Sequence, residues 1–230
     1  MKKTTIGTLA VLTTMLASAP AHAETVKLRV EGETKTIFEG KVRTDGEDVM
    51  GDETGPHTCD GTNGGANPTP GPTATGALGA AAADGAFAWN ATWNEDFADF
   101  VVNSIGPDSA NDTQFWGVAV NGEDLQVGGC QYQVDAGDEV LWAYDLFAKK
   151  NVLLLSGAKR TRVGRLYKVK VRDGRTGKPV GDARVGGKRT NRKGIARMRF
   201  ATRGAKRLKA TRDDSVRSNQ LRIQVLRRAR

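Results

Sequence analysis

The chain is short of the side chains that carry out covalent chemistry. Its 230 residues include two histidines, His22 and His57, and two cysteines, Cys59 and Cys130. Ser-His-Asp and Cys-His arrangements need a positioned imidazole. His22 falls in a stretch that reads as a cleaved leader, and His57 sits among Gly, Asp, Thr and Pro, where nothing would hold it. No phosphate-cradling glycine motif follows a strand and opens a helix, because the Gly61–Gly65 run lies between turns. His57 and Cys59 lack two further ligands at zinc spacing. Asp45 to Asp48, Asp52-Glu53 and Asp108 to Asp112 are acidic clusters without the spaced oxygen ladder of an EF-hand loop. Catalysis, a resident metal and a cofactor are therefore not expected. A carboxylate pair of the glycosidase kind stays open, since its geometry is not written in spacing.

Long apolar runs are missing as well. Ile6 to Ala17 is shorter than the roughly 20 apolar residues that span a bilayer, and it is rich in Thr. Preceded by Lys2 and Lys3 and followed by Ala21-His22-Ala23, it reads instead as a bacterial signal peptide over 1–23, cut after Ala23. No Cys follows the cut, so a lipid anchor is not expected. The protein is placed outside the cytoplasm, secreted or at the cell surface, with no transmembrane segment. In that oxidising setting the two cysteines predict one disulfide, Cys59–Cys130. It would close a loop of about 70 residues, worth about 3–4 kcal/mol in the chain-entropy model.

Aromatic and charged residues are unevenly placed. All four tryptophans (Trp89, Trp93, Trp116 and Trp142) precede Ala148, and beyond it the rings are Tyr167 and Phe200. Glu24 to Ala148 holds 5 Lys/Arg against 22 Asp/Glu, whereas Lys149 to Arg230 holds 28 against 4. So sharp a step predicts two domains, an acidic one over 24–148 and a basic one over 149–230.

In the acidic half, Val26 to Glu31 alternates apolar and polar residues, the period of a half-buried strand. Thr36 to Val42 reads as its hairpin partner. Asp45 to Pro72 is a long Gly, Asp, Thr, Asn and Pro loop that Cys59 would tether. Ala77 to Ala83 reads as the one helix, with Thr73 or Thr75 as N-cap and Gly85 ending it. Strands are expected at Ala86–Trp93 and Phe97–Ile105. Phe115-Trp116-Gly117-Val118-Ala119-Val120 is another strand, closed by the Asn121-Gly122 hairpin signal. Glu139 to Tyr144 places Val140, Trp142 and Tyr144 on one face and Leu141 and Ala143 on the other.

The stretch Trp116-Gly117-Val118-Ala119-Val120-Asn121-Gly122 is similar to a "W-x-x-x-V-N-G" strand and turn. Val127-Gly128-Gly129 resembles a central glycine, and Gly137-Asp138-Glu139-Val140-Leu141-Trp142-Ala143-Tyr144 a closing "G-D-x-I-x-W-x-Y" strand. Together they resemble the transcobalamin-like C-terminal domain family over about 25–148. The resemblance implies a β-grasp-related fold with one short helix, which in the vitamin carriers caps bound cobalamin. The helical domain that holds cobalamin there has no counterpart here. Trp116 with the Val127, Gly128 and Gly129 loop is the candidate ligand-facing edge, since an exposed indole offers area and a donor and glycines admit close approach.

In the basic half, short strands with turn signals near every ten residues predict a β-sandwich. The block Val171 to Val185 (VRDGRTGKPVGDARV), with Gly194, Phe200, Leu208 to Thr211 and Val216 to Asn219, resembles bacterial immunoglobulin-like surface modules over about 151–226. The fold expectation is thus mostly β: a β-grasp-like domain with one short helix, then an immunoglobulin-like β-sandwich. Lys168, Lys170, Arg172, Arg197, Arg199, Lys206, Arg207 and Lys209 fall at outward positions and make a candidate polyanion-binding face. The acidic domain is the competing occupant of such a face.

The functional expectation is a secreted or cell-surface, non-catalytic binding or adhesion protein. Its partner would be a cell-wall polymer or another surface protein. The alternative is an extracytoplasmic carrier or sensor of a small ring-shaped ligand such as a corrinoid.

Overall fold

The computed structural model describes residues 23–51 and 54–228. The leader up to His22 and the Asp52-Glu53 pair lie outside the described residues. The described residues are mostly β with one α-helix, as the patterning predicts.

The acidic module is built on a five-stranded sheet. Strand β1 (Glu24–Glu31) pairs antiparallel with β2 (Thr36–Thr44) on one side, with Val26 opposite Val42. Helix α1 (Ala74–Ala83) crosses the module, and β3 (Trp89–Asn94) and β4 (Asp99–Ile105) form a separate hairpin. Strand β5 (Trp116–Val120) returns to the main sheet and pairs antiparallel with β6 (Glu139–Tyr144). Strand β6 then lies parallel to β1, with Leu28 opposite Val140. The first and last strands of the module thus share its centre.

Local signals explain these elements. Thr73 caps α1, its hydroxyl accepting from the Gly76 N–H at 3.0 Å, which satisfies one of the helix's orphan donors. Asn121 and Gly122 have φ of 53° and 89° between Val120 and Glu123, the left-handed pair that a two-residue hairpin turn requires. Val26, Leu28 and Val30 face a core that also holds Leu78 of the helix and Val140, Trp142 and Tyr144 of β6. The long loop is not featureless. Val49–Met50 pairs with Pro56–His57, and Val49 and Cys59 enter the core. The Cys59–Cys130 disulfide is formed.

In the basic module, β7 (Asn151–Gly157) pairs with β9 (Tyr167–Asp173), which pairs with β10 (Ile195–Met198). A second sheet joins β8 (Arg160–Arg162), β12 (Leu221–Leu226) and β11 (Gly204–Leu208). Leu153, Leu155, Val169 and Val171 of the first sheet pack with Ile223 and Val225 of the second in one core. The Pro179–Val185 segment is strand only at Arg184–Val185.

The two modules meet across the face of the main sheet that β1 and β6 turn away from α1. Ala119, Leu141 and Ala143 pack there against Leu146, Val152 and Val216. Sequence alternation makes Arg29 and Glu31 solvent-facing, yet they are 2 % and 1 % exposed. The basic module is what covers them. The Glu31 carboxylate receives the Arg217 Nε at 2.9 Å, the Thr36 hydroxyl and the Lys209 ammonium. Lys209 also reaches Glu39 at 2.9 Å, and Arg29 pairs with Glu139 at 3.2 Å. Arg175 bridges Asp124 at 2.9 Å while donating to the Leu146 and Lys149 carbonyls.

Candidate functional site

The structure redistributes the residues that pattern alone marks as ligand-facing. Trp116 is 7 % exposed and Phe115 is 54 % exposed. Trp116 points with Val118 and Val120 into the core, edge-on to Tyr144 at 5.5 Å, and its indole N–H faces the Asp108 carbonyl at 3.4 Å. The exposed-platform expectation for Trp116 is therefore corrected: in this strand the even-numbered positions face α1. Phe115, Gly117 and Ala119 take the other face, where Gly117 is kept small by Leu146 and Phe147 lying over it.

The Val127–Gly129 loop is likewise turned inward. Val127 is 47 % exposed, but Gly129 is buried. A Cβ on Gly128 would lie 1.7 Å from Asp99 Oδ2, and one on Gly129 would lie 2.2 Å from Thr75 Oγ1. These glycines admit the protein's own β4 and α1 rather than leaving room for a ligand. Asp99 is the residue that sequence reasoning misses here. Its buried carboxylate accepts from the Phe100 N–H at 2.7 Å and the Cys130 N–H at 3.0 Å, tying the disulfide to β4. Burial pushes its carboxyl up from 3.8 to about 6, and the two backbone N–H groups offset part of that rise.

Open space lies elsewhere in the acidic module. A cleft of about 890 Å³ runs between α1, the Arg43–Gly51 segment and the Asp84–Asn90 segment. Its floor is the small-residue face of the helix, with Gly76, Gly79, Ala80 and Ala83. Phe87, Trp89 and the exposed Met50 form its apolar walls. Phe87 rests edge-on against Phe38 at 5.9 Å, and Trp89 against Phe100 at 5.7 Å, so both rings are braced from behind. Phe100 also meets Trp93, which stacks on His57 at 4.4 Å. Asp45, Glu47, Asp48 and Asp84 set a negative rim that Arg43 opposes alone. The cleft joins two stretches distant in sequence, Arg43–Gly51 and the helix with the Asp84–Asn90 segment that follows it. The available signal was the run Gly76 to Ala83, a helix with one large side chain, Leu78, which turns into the core.

Such a cleft can hold an apolar or flat body against braced rings, with the rim disfavouring anions. Its lining includes no histidine, serine or cysteine. Among the described residues no group of three His, Cys, Asp or Glu side chains is set to hold a metal.

The eight basic candidates do not form one face. Lys168, Lys170 and Arg172 lie along β9 beside Arg197 and Arg199. Arg207 belongs to the other sheet, opposite Arg222. Lys206 is half-buried and donates to Thr202 at 2.8 Å. Lys209 is spent at the module interface on Glu31 and Glu39. A single cationic face of eight is thus corrected to one of five.

Comparison with known proteins adds little chemistry. A family model described as a domain of unknown function (DUF4430) matches residues 83–145, inside the acidic module. No curated protein matches the chain. The chain is similar to a solved structure titled a crystal structure of haptocorrin in complex with Cbi. Identity is 16 %, the TM-score is 0.35, and the match covers 55 % of this chain and 26 % of that one. The chain therefore spans about a quarter of the length of that protein.

Proposed function

We propose that this is an exported, non-catalytic binding protein whose ligand sits in the cleft of the acidic module. The observation that carries the reading is the cleft itself, an open hollow of about 890 Å³ with an acidic rim, whose aromatic walls are braced by second rings. Export is supported by the disulfide, which suits an oxidising compartment. No helix among the described residues is long and apolar enough to cross a membrane. The central parallel pair of β1 and β6, with α1 across one face, supports a β-grasp-like module. The two sheets of the basic module support an immunoglobulin-like support behind it.

Native mass spectrometry of protein recovered from its own culture medium tests the site. A bound mass is expected in the wild type and not in Ala83→Trp, which fills the cleft from an exposed helix position. The same bound mass in both proteins would remove the cleft as the site.

A flat corrinoid-type ring is the first ligand class to try, on the strength of the motif resemblance and the small-residue floor between two aromatic walls. Titration with cobinamide should quench Trp89, and Trp89→Phe should lose most of that response. Unchanged fluorescence across a series of corrinoids would sink this second reading and leave the first standing.

A further inference from the structure

We propose that the outer face of β9 and β10 is a docking surface for a linear polyol-phosphate polymer of the cell envelope. Along β9 every outward position is basic: Lys168, Lys170 and Arg172 alternate with buried Tyr167, Val169 and Val171. Arg197 lies directly opposite Lys168, and Arg199 follows just beyond the strand end, its guanidinium donating to the Gly164 carbonyl. Like charges set opposite each other across a ladder destabilise it. No carboxylate among the described residues pairs with Lys168, Lys170, Arg172 or Arg197 to offset that cost.

The basic module places its own acids elsewhere. Asp173 is buried and accepts from the Val152 N–H and the Thr176 hydroxyl. Asp182, Asp213 and Asp214 line a separate hollow with Arg184, Arg189 and Arg212. The acidic module, for its part, is docked by Lys149, Arg175, Lys209 and Arg217. Four cations of the β9 face therefore enter no ion pair of either module, while the fifth, Arg199, donates to the Gly164 carbonyl.

The geometry selects the partner. Successive outward side chains on a strand stand about 6.8 Å apart, and neighbouring strands about 4.8 Å apart. That is an evenly spaced ladder of charges, suited to an extended chain with one phosphate per short polyol unit. No aromatic ring stands among the cations, so bases would have nothing to stack on. The apolar residues of this face are the partly exposed Ile195 opposite Lys170, Leu154 opposite Arg172, and Leu166 at the strand entry, separated aliphatics that offer too little surface to enter a lipid layer. The opposite sheet is a weaker candidate, because neither β11 nor β12 carries three successive outward cations: their exposed positions are Ala205 and Arg207, and Arg222, Gln224 and Leu226.

The test is retention of the oxidised mature chain on immobilised poly(glycerol phosphate). Lys168→Glu/Lys170→Glu should weaken binding at least about tenfold. Wild-type affinity should fall by about 100-fold between 50 and 200 mM salt if five phosphates are engaged. Arg207→Glu/Arg222→Glu makes the same charge change on the other sheet and should leave retention within about threefold. Equal loss in both variants would reduce the binding to net charge and overturn the proposal. Preference for duplex DNA or for anionic vesicles over the polymer would overturn it too. Ala83→Trp should leave retention unchanged, which separates failure here from failure of the cleft.

Discussion

The acidic module holds all four tryptophans, the disulfide and the α-helix. The basic module packs mainly aliphatic side chains between two sheets and has Tyr167 and Phe200 as its rings. One needs cross-links because more than twenty residues between β2 and α1 form short bridges and turns rather than a sheet. Loops of this kind are costly to order, and here the disulfide, the Asp99 clamp and the braced rings hold them. The outcome is an irregular surface with a hollow. Regular ladders in the other module leave no such hollow, and its outward positions are free to carry charge. Concavity and charge density are thus divided between the modules.

The sharpest way to break that division is at their junction. Glu31 is buried and holds two cations of the basic module. Glu31→Ala would remove the carboxylate that Arg217 and Lys209 share, leaving Lys209 on Glu39 and Arg217 on backbone carbonyls, and a loss of about 3 kcal/mol is expected. Every tryptophan lies in the acidic module, so fluorescence reports that module alone while far-UV circular dichroism reports both. In urea the two signals should coincide for the wild type and come apart for Glu31→Ala. Coincident, unshifted transitions in the variant would show that the ion cluster does not couple the modules.

Removing the disulfide should act on one side of the comparison only. Cys59→Ser/Cys130→Ser reopens a separation of 71 residues, with an expected loss of about 3–4 kcal/mol. Calorimetry of the Glu31→Ala background, where the modules melt separately, should show only the tryptophan-bearing transition moving down. An equal shift in both would mean that the basic module leans on the loop.

What could be read from the chain follows the range of the forces involved. Alternation in β1 and β9, the Thr73 cap and the Asn121-Gly122 turn are local and visible in a few residues. The burial of Arg29 and Glu31 was not, because alternation marks two faces without saying that a second module covers the wet one. Trp116 and Phe115 illustrate a parity problem. Both faces of β5 end buried, so the apolar pattern alone did not decide which ring is core. Gly128 and Gly129 announce close approach, but only the fold shows that Asp99 and Thr75 are what approaches. The cleft was least legible, since it forms between two separated stretches, Arg43–Gly51 and Gly76–Asn90.

Asp99 offers a smaller, pH-dependent test within the acidic module. Its folded carboxyl is raised to about 6 from 3.8, so the charged form is disfavoured in the native state. Between those values the folded protein binds more protons than the unfolded one. Stability therefore falls as pH rises from about 4 to 6, by about 2–3 kcal/mol from this group, and stays lower above that. Asp99→Asn should flatten the step relative to the wild type. An unchanged difference between pH 4 and pH 7 would mean that Asp99 ionises as freely folded as unfolded.

The smallest expected effect is also the most discriminating. Lys168 faces Arg197 across β9 and β10, and Lys168→Glu turns a repulsive cross-strand pair into an attractive one. A gain of about 0.2–1 kcal/mol is expected, larger at low salt because exposed charges are screened. A surface shaped only by folding would have no reason to keep the lysine. If Lys168→Glu raises the urea midpoint while weakening retention on poly(glycerol phosphate), stability and binding pull in opposite directions at one residue. If it raises neither stability nor its salt sensitivity, the two cations are far enough into solvent to ignore each other. The cost on which the docking argument leans would then vanish.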